Sequence, residues 1–456
     1  MAAGKSIQKL LIANRGEIAV RVVRAAREQG IATVQVHSAA DTDMLAVKLA
    51  DEAVDIGPPS AAKSYLNVDA ILDAVQKTGA DAVHPGYGFL AENATFAARL
   101  EDSGITFVGP SADVISRMGD KVAARDAAKA AGVPTVPGSE GAVTAEEGRT
   151  LADTIGYPVM IKAAAGGGGR GIRIAQDGAA FDNLFAQAST EATAAFGDGA
   201  LYVEKVIHPA RHVEVQVLGD GVRAVHVFER ECSLQRRRQK VWEEAPSPAL
   251  PADIRQALCQ SAVALTEAVN YSGAGTLEYL FDEESNQFYF IEMNTRIQVE
   301  HPVTEMITGI DLVGEMLRIA GGTPLRYRQD QIVPRGHAIE VRLNAEDPAN
   351  NFLPAPGTIS GLQIPGGPGV RFDTMLYPGY EVPPFYDSLL GKLVVHGEDR
   401  PHALDRLAAA LHELSIDGIN TTAPLFKALL KDADVRAGRA HITWLETWLK
   451  SHANTL

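Results

Sequence analysis

Residues 157–171 read YPVMIKAAAGGGGRG, and the order of the parts in this stretch decides more about the fold than any other. An apolar, β-prone run from Tyr157 to Ala163 leads into four consecutive glycines, followed by Arg170 and Gly171. A Walker loop carries its lysine after the glycines, whereas Lys162 precedes them on the strand, so a P-loop is excluded. Gly166, Gly167, Gly168 and Gly169 leave backbone N–H groups free to fold over phosphate oxygens, with Lys162 as a positive charge nearby. An ordinary flexible hairpin loop would use the same residues. The flanking pattern is strand, glycine loop, strand (IRIA, 172–175), helix and strand (LYVEKV, 201–206), a small lid over residues 136–206.

Residues 290–305, FIEMNTRIQVEHPVTE, carry the second signal. On a strand, alternation sends Glu292, Asn294 and Arg296 to one side and Ile291 and Met293 to the other. With Glu278 of the neighbouring strand (GTLEYLF, 275–281), this gives hard oxygen donors beside a cation, a Mg²⁺ site of the kind that also binds substrate phosphates. The alternative is a solvated strand face with a surface salt bridge.

Toward the N-terminus, residues 7–38 read as strand, turn (Asn14, Arg15, Gly16), amphipathic helix and strand, a βαβ unit. Asp41 and Asp43 follow the second strand, where a dinucleotide fold places its ribose-binding acid. That reading fails because the first turn holds a single glycine, Gly16. We expect an α/β, Rossmann-like domain over 1–108 and an Ala-rich helical linker over 109–135. The lid spans 136–206. A β-rich α+β remainder covers 207–456, in which GTLEYLFD and QFYFIEMN form a hairpin across residues 283–286.

The length of 456 residues suits about three domains. No apolar run approaches the ~18 residues of a membrane span. A net charge of -15 argues against whole-surface attraction to nucleic acid or anionic lipid, so an anionic substrate needs a locally basic pocket. Cys232 and Cys259 are too few for a disulfide framework or a Cys-rich zinc site. The N-terminus has no signal-peptide core. These features point to the cytoplasm, with neither nucleic acid nor membrane as partner.

The glycine stretch and the 290–305 stretch together resemble the paired signatures of the ATP-grasp ligases. The resemblance narrows through ANRGEIA (13–19), HPGYGFLAEN (84–93), RHVEVQVLGD (211–220), ERECSLQRRRQKVWEEAP (229–246), VRLNAEDP (341–348), FLPAPG (352–357) and PPFYDSLLGKL (383–393). In this order, across nearly the whole chain, they are similar to the biotin carboxylase subunits or domains of biotin-dependent carboxylases. The resemblance implies that Lys121 and Lys162 contact ATP phosphates, that Glu204, Lys205 and the backbone at Ile207 hold adenine with Leu280 packed on it, and that His212 and Gln235 lie by the ribose and phosphates. It makes Glu278 and Glu292 Mg²⁺ (or Mn²⁺) ligands with Asn294 adjacent. It places Lys240, Arg296, Gln298, Val299 and Glu300 around bicarbonate, with Glu300 as the base, and sets Arg342 against the biotin ureido oxygen. Arg238 stands where many relatives carry histidine, and Ala164 and Ala165 open the glycine loop, which bears on nucleotide affinity.

The implied activity is ATP-dependent carboxylation of biotin with bicarbonate through carboxyphosphate, the first half-reaction of a carboxylase such as acetyl-CoA carboxylase in fatty acid biosynthesis. Another ATP-grasp ligase and a catalytically silent nucleotide-binding subunit are the alternatives. The resemblance implies a homodimer. The chain contains no Met-Lys dipeptide of the kind that presents biotin in this family. It is therefore expected to act on a separate biotin carboxyl carrier protein, in a complex with carboxyltransferase subunits.

Overall fold

The computed structural model describes residues 6–163 and 172–452; the glycine-loop residues Gly166 to Gly169, with Ala164, Ala165, Arg170 and Gly171, lie outside the described residues. β1 (Lys9–Ile12), α1 (Gly16–Glu28) and β2 (Ala32–His37) form the βαβ unit read from the sequence. α2 (Leu45–Leu49), β3 (Glu52–Asp55), α3 (Val68–Thr78), β4 (Ala82–His84), α4 (Ala94–Asp102) and β5 (Thr106–Phe107) complete it, giving a parallel sheet of order β3-β2-β1-β4-β5. Leu10 and Ile12 join the core on one face and Leu11 and Ala13 the core on the other, which is why β1 reads as an unbroken apolar run. The turn before α1 serves packing and not a dinucleotide. Arg15 makes a two-pronged ion pair with buried Asp41 at 2.8 and 2.9 Å, and Tyr65 donates to the same carboxylate at 2.6 Å. The acid that could have bound ribose is thereby spent on structure.

The stretch expected as a linker is two separately capped helices, α5 (Ala112–Gly119) and α6 (Lys121–Ala130). Ser111 caps the first; Asp120 caps the second, accepting from the N–H groups of Val122 and Ala123. Their apolar sides, Val114, Met118, Ala124 and Ala128, pack into one core with Phe290 and Met293. In the lid, α7 (Ala145–Ile155) and α8 (Gly178–Phe196) cover a three-stranded antiparallel sheet made by β6 (Val159–Ala163), β7 (Ile172–Ala175) and β8 (Leu201–Lys205), in the order β7-β6-β8, with a core of its own.

The remainder is built on an eight-stranded antiparallel sheet. Its strands are β9 (Ala210–Asp220), β10 (Ala224–Arg236), β11 (Gln239–Ala245), β12 (Ser272–Asp282), β13 (Gln287–Asn294) and β14 (His337–Asn344), joined after several short strands by two more. The short strands β15 (Glu346–Asp347) and β16 (Leu353–Pro354) pair together, as do β17 (Gly357–Thr358) with β20 (Glu381–Val382) and β18 (Gly361–Gln363) with β22 (Ser415–Asp417). β19 (Val370–Thr374) and β21 (Leu389–Gly397) finish the large sheet, whose order is β13-β12-β9-β10-β11-β14-β21-β19. Helices α9 (Ala252–Ala268), α10 (His301–Thr308), α11 (Leu312–Ala320) and α12 (Arg400–Glu413) cover it. On β14 alternation is clean: Ile339, Val341 and Leu343 face the α12 core, while Ala338, Glu340 and Arg342 face the α10 side.

The β12–β13 hairpin forms as expected, with one correction. The register slips between the pairs Glu278/Glu292 and Tyr279/Phe290, so Ile291 is the extra residue of a bulge. The bulge breaks the alternation, and Ile291 is 40% exposed on the cleft wall instead of joining Met293 in the core. Arg296 lies beyond the end of β13, in the turn that leads to α10.

Candidate active site

β9, β10 and β12 meet at the centre of the large sheet, and their polar residues share one face. The register sets Thr276 against Gln216, Glu278 against Glu214 and Leu280 against His212, with Arg230 of β10 opposite Glu214. Arg230 is fully buried and spends its donors on Glu214 (2.7 Å), Gln216 (2.7 Å), Thr304 (3.0 Å), Thr276 (3.1 Å) and Gln298 (3.0 Å). A buried guanidinium held this way is a fixed cation under the site, because moving it would orphan several partners at once.

Lys240 reaches over this bed from the start of β11. Its ammonium contacts Glu214 and lies 2.9 Å from Glu278 and 2.7 Å from Glu300. Glu300 also accepts from Arg342 at 2.9 Å, and Arg342 Nε donates to Glu243 at 2.6 Å. Burial pushes the Glu300 carboxyl up and Glu214 adds to this, but Lys240, Arg342 and Arg230 outweigh both, so it stays below the usual carboxylate range. Glu278 likewise lies well below its ordinary value: burial opposes ionisation, and Lys240 with His212, 3.1 Å away, overcomes it. His212 is in turn raised to about 9: burial disfavours its charge, and Glu278 and Glu214 restore it.

The expected bicarbonate group is brought together. Gln298 donates to Glu278 at 2.9 Å and accepts from Arg230, and the Val299 carbonyl is fixed by Lys392 at 2.8 Å. Arg296 donates to Glu92 at 2.8 Å and to Asn294 at 2.9 Å. The expected cation donors also share a face, since Glu278 and Glu292 stand directly opposite across β12–β13. Burial and the charge of Glu278 push Glu292 up against the pull of Lys121 and His212, so a divalent cation between the two carboxylates would relieve their repulsion. Asn294 turns its amide nitrogen to Glu278 at 2.9 Å and its oxygen to Arg296, so it orients both neighbours. Among the described residues the tighter ligand clusters are His212, Glu214 and Glu278, and Glu214, Cys232 and Glu300. The Lys240 ammonium stands among Glu214, Glu278 and Glu300 and pairs with all three.

The nucleotide-side residues line the same cleft, of about 1800 Å³, as do all the other described site residues named from the sequence. Lys162 is paired with Glu204, which also accepts from Arg125 at 3.3 Å. Lys205 donates to the carbonyls of Gly156 and Tyr157, each at 3.0 Å, and Gln235 to the carbonyl of Cys232 at 2.9 Å. Ile207, Leu280 and Lys121 complete that wall. Sequence reasoning missed Glu214, Arg230, Glu92 and Glu243. The first had a signal: in HVEVQV the polar residues His212, Glu214 and Gln216 alternate with valines, marking one polar face on a strand buried along its length.

The chain is similar to known proteins along nearly its whole length. Family models match as the biotin carboxylase N-terminal domain over residues 6–115, the ATP-binding domain of the carbamoyl-phosphate synthase L chain over 120–328, and the biotin carboxylase C-terminal domain over 340–447. A biotin carboxylase from Nostoc sp. is 54% identical over 96% of this chain and 98% of its own. The crystal structure of a biotin carboxylase–β,γ-ATP complex from Campylobacter jejuni is 45% identical and superposes with a TM-score of 0.89 over 97% of this chain and 99% of its own. The biotin carboxylase domain dimer of Hydrogenobacter thermophilus 2-oxoglutarate carboxylase, solved with MgADP, ADP and bicarbonate, is 47% identical, with a TM-score of 0.88 over 99% of each chain. The chain belongs to the biotin carboxylase family.

Proposed function

We propose that this chain carboxylates biotin with bicarbonate at the expense of ATP. The observation that carries the reading is Glu300: a buried carboxylate kept ionised between Lys240 and Arg342, at one end of a cleft large enough for a nucleotide. Bicarbonate is a weak nucleophile, and activating it requires a base and an anion clamp beside a phosphoryl donor.

In the mechanism we infer, Lys240 and Arg296 hold bicarbonate in line with the γ-phosphate of ATP while Glu300 removes its proton. Attack on the γ-phosphorus forms carboxyphosphate and releases ADP. Collapse of carboxyphosphate yields CO₂ and phosphate. The phosphate takes the N1′ proton of biotin, the nitrogen attacks CO₂, and Arg342 stabilises the enolate-like ureido oxygen as its charge develops. A Mg²⁺ ion, when bound, would spread the phosphate charge, and Glu278 and Glu292 are the residues to hold it. Lys121 and Lys162 supply cations on the nucleotide side, with Glu204, Lys205, Ile207 and Leu280 toward adenine.

The same reading assigns 1–108 to the N-terminal domain, 136–206 to the lid and 207–456 to the catalytic body. It gives the chain a carrier-borne biotin, carboxyltransferase partners, a homodimeric state and a cytoplasmic setting; among the described residues no helix is long and apolar enough to cross a membrane. The test is ATP hydrolysis by the purified chain. Turnover should require bicarbonate, rise with free biotin and give carboxybiotin; turnover indifferent to bicarbonate or biotin would refute the assignment.

A further inference from the structure

Behind Arg342 stands a second pair of carboxyls that the reaction as written leaves unused. Glu243 on β11 lies directly opposite Glu340 on β14, and both are fully buried. Residues paired across antiparallel strands hold their Cβ atoms about 5 Å apart, so the two carboxyls compete for one small space. Glu243 gives one oxygen to Arg342 Nε; its other oxygen and both oxygens of Glu340 have no hydrogen-bond partner among the described residues.

The neighbouring charges hydrogen-bond to other partners, although Lys392 and Arg342 still pull Glu340 down through space. From β21, Lys392 sits beside Arg342 in register, 2.8 Å from the Val299 carbonyl and 3.1 Å from Glu17 of α1, with Asp373 of β19 opposite it. From the start of α10 come Glu300, already held by Arg342 and Lys240, and His301, bonded to the Gln298 carbonyl at 2.7 Å. On the far face of β14, α12 contributes Leu404 and Leu407. Two full charges on Glu243 and Glu340 would repel across the strands and leave three buried oxygens stripped of water. One proton between them removes the repulsion and joins two of the three oxygens in a hydrogen bond.

We propose that Glu243 and Glu340 share a single proton and act as a one-charge positioning pair for Arg342. The proton resides on Glu340, and Glu243 keeps the charge that holds Arg342 Nε. Burial pushes Glu340 well up and raises Glu243 to about 7, in keeping with this division. Under the carboxylase reading on which the proposal rests, the pair matters once Glu300 has accepted the bicarbonate proton and its bond to Arg342 weakens. Glu243 then keeps the guanidinium aimed at the ureido oxygen. As the pH falls through the region near 7, Glu243 takes up a second proton, the anchor is lost, and transfer to biotin declines.

The test is Glu340→Leu. In the wild type the protonated Glu340 donates to Glu243; leucine removes that donor, so Glu243 ionises at higher pH. The acid limb of biotin carboxylation should then move up by ~1 pH unit or more. The limb of bicarbonate-dependent ATP cleavage, measured without biotin, should move less. A transfer limb that stays put, or both limbs moving equally, would overturn the proposal. The shared proton is read separately, without turnover, from the infrared spectrum of substrate-free protein at a pH well above 7, where Glu243 is ionised. The wild-type-minus-variant difference should contain the carbonyl band of a protonated carboxylic acid, and a difference showing only an ionised carboxylate refutes the pair while leaving the carboxylase reading standing. If Glu340→Leu does not fold, Glu243→Gln serves: its difference spectrum should show loss of an ionised carboxylate, and loss of a protonated band would contradict the assignment.

Discussion

The floor of the cleft and the lid above it both present lysines to the same space, but they are built differently. On the floor, Lys240 is shared by Glu214, Glu278 and Glu300, and Arg230 is held by groups from β9, β12, α10 and the turn before α10. On the nucleotide side, Lys162 has the single carboxylate Glu204, and Lys121 makes no hydrogen bond or ion pair among the described residues. The floor is therefore organised before any substrate arrives, as electrostatic catalysis of proton removal demands. Under the proposed function, Lys121 and Lys162 are the cations left for phosphates to complete. The energetic cost of burying the floor's charges is met by mutual pairing, so removing one member should hurt far more there than above.

Lys240→Met is the severest way to break this contrast. It strands three buried carboxylates and should lower bicarbonate-dependent turnover by about 10³-fold. A steady-state assay that finds less than a tenfold loss would show the floor is not organised around Lys240. Next in size is Glu244→Gln, which tests pairing without catalysis. Burial raises the Glu244 carboxyl, but His337 and Arg400, both within 2.7 Å, bring it down to about 2. A depressed carboxylate stabilises the fold above its ordinary range near 4.5 and loses that contribution as pH falls through the folded value. The variant should lose about 3 kcal/mol at neutral pH in chemical denaturation, and its deficit should shrink in acid; a pH-independent deficit would count against the ion pair. Arg342→Ala should reduce biotin carboxylation by about 10²-fold and bicarbonate-dependent ATP cleavage less than tenfold, since this side chain acts after carboxyphosphate forms. Equal losses in the two assays would remove it from the second step. The smallest effect belongs to Glu204→Gln. Freeing Lys162 should change nucleotide affinity by less than about tenfold and leave the bicarbonate KM alone, as isothermal titration and kinetics would report.

The contrast also explains what could be read from the sequence. The βαβ unit, the hairpin at 283–286 and the floor's Lys240, Glu278 and Glu300 were legible because turn residues, alternation and ordered motifs each point the same way. The bulge at Ile291 was not, since a one-residue slip leaves no compositional trace, and it reversed the face of that residue. Glu243, Glu340 and Lys392 were missed for a related reason. Strands buried on both faces carry polar residues that alternate as a solvated strand would, and only the register shows that these three meet inside. At Asp41 the single glycine of the turn already argues against a dinucleotide, and the acid in the ribose position is paired with Arg15.

The central claim is that Glu300 is the base that activates bicarbonate, and Glu300→Gln tests it directly because the amide keeps the shape and loses only proton affinity. The measurement is bicarbonate-dependent ATP cleavage alongside nucleotide binding in the same preparation. Cleavage should fall by about 10² to 10⁴-fold with nucleotide affinity almost unchanged; a variant that binds ATP normally and still cleaves it at the wild-type rate in bicarbonate would contradict the account.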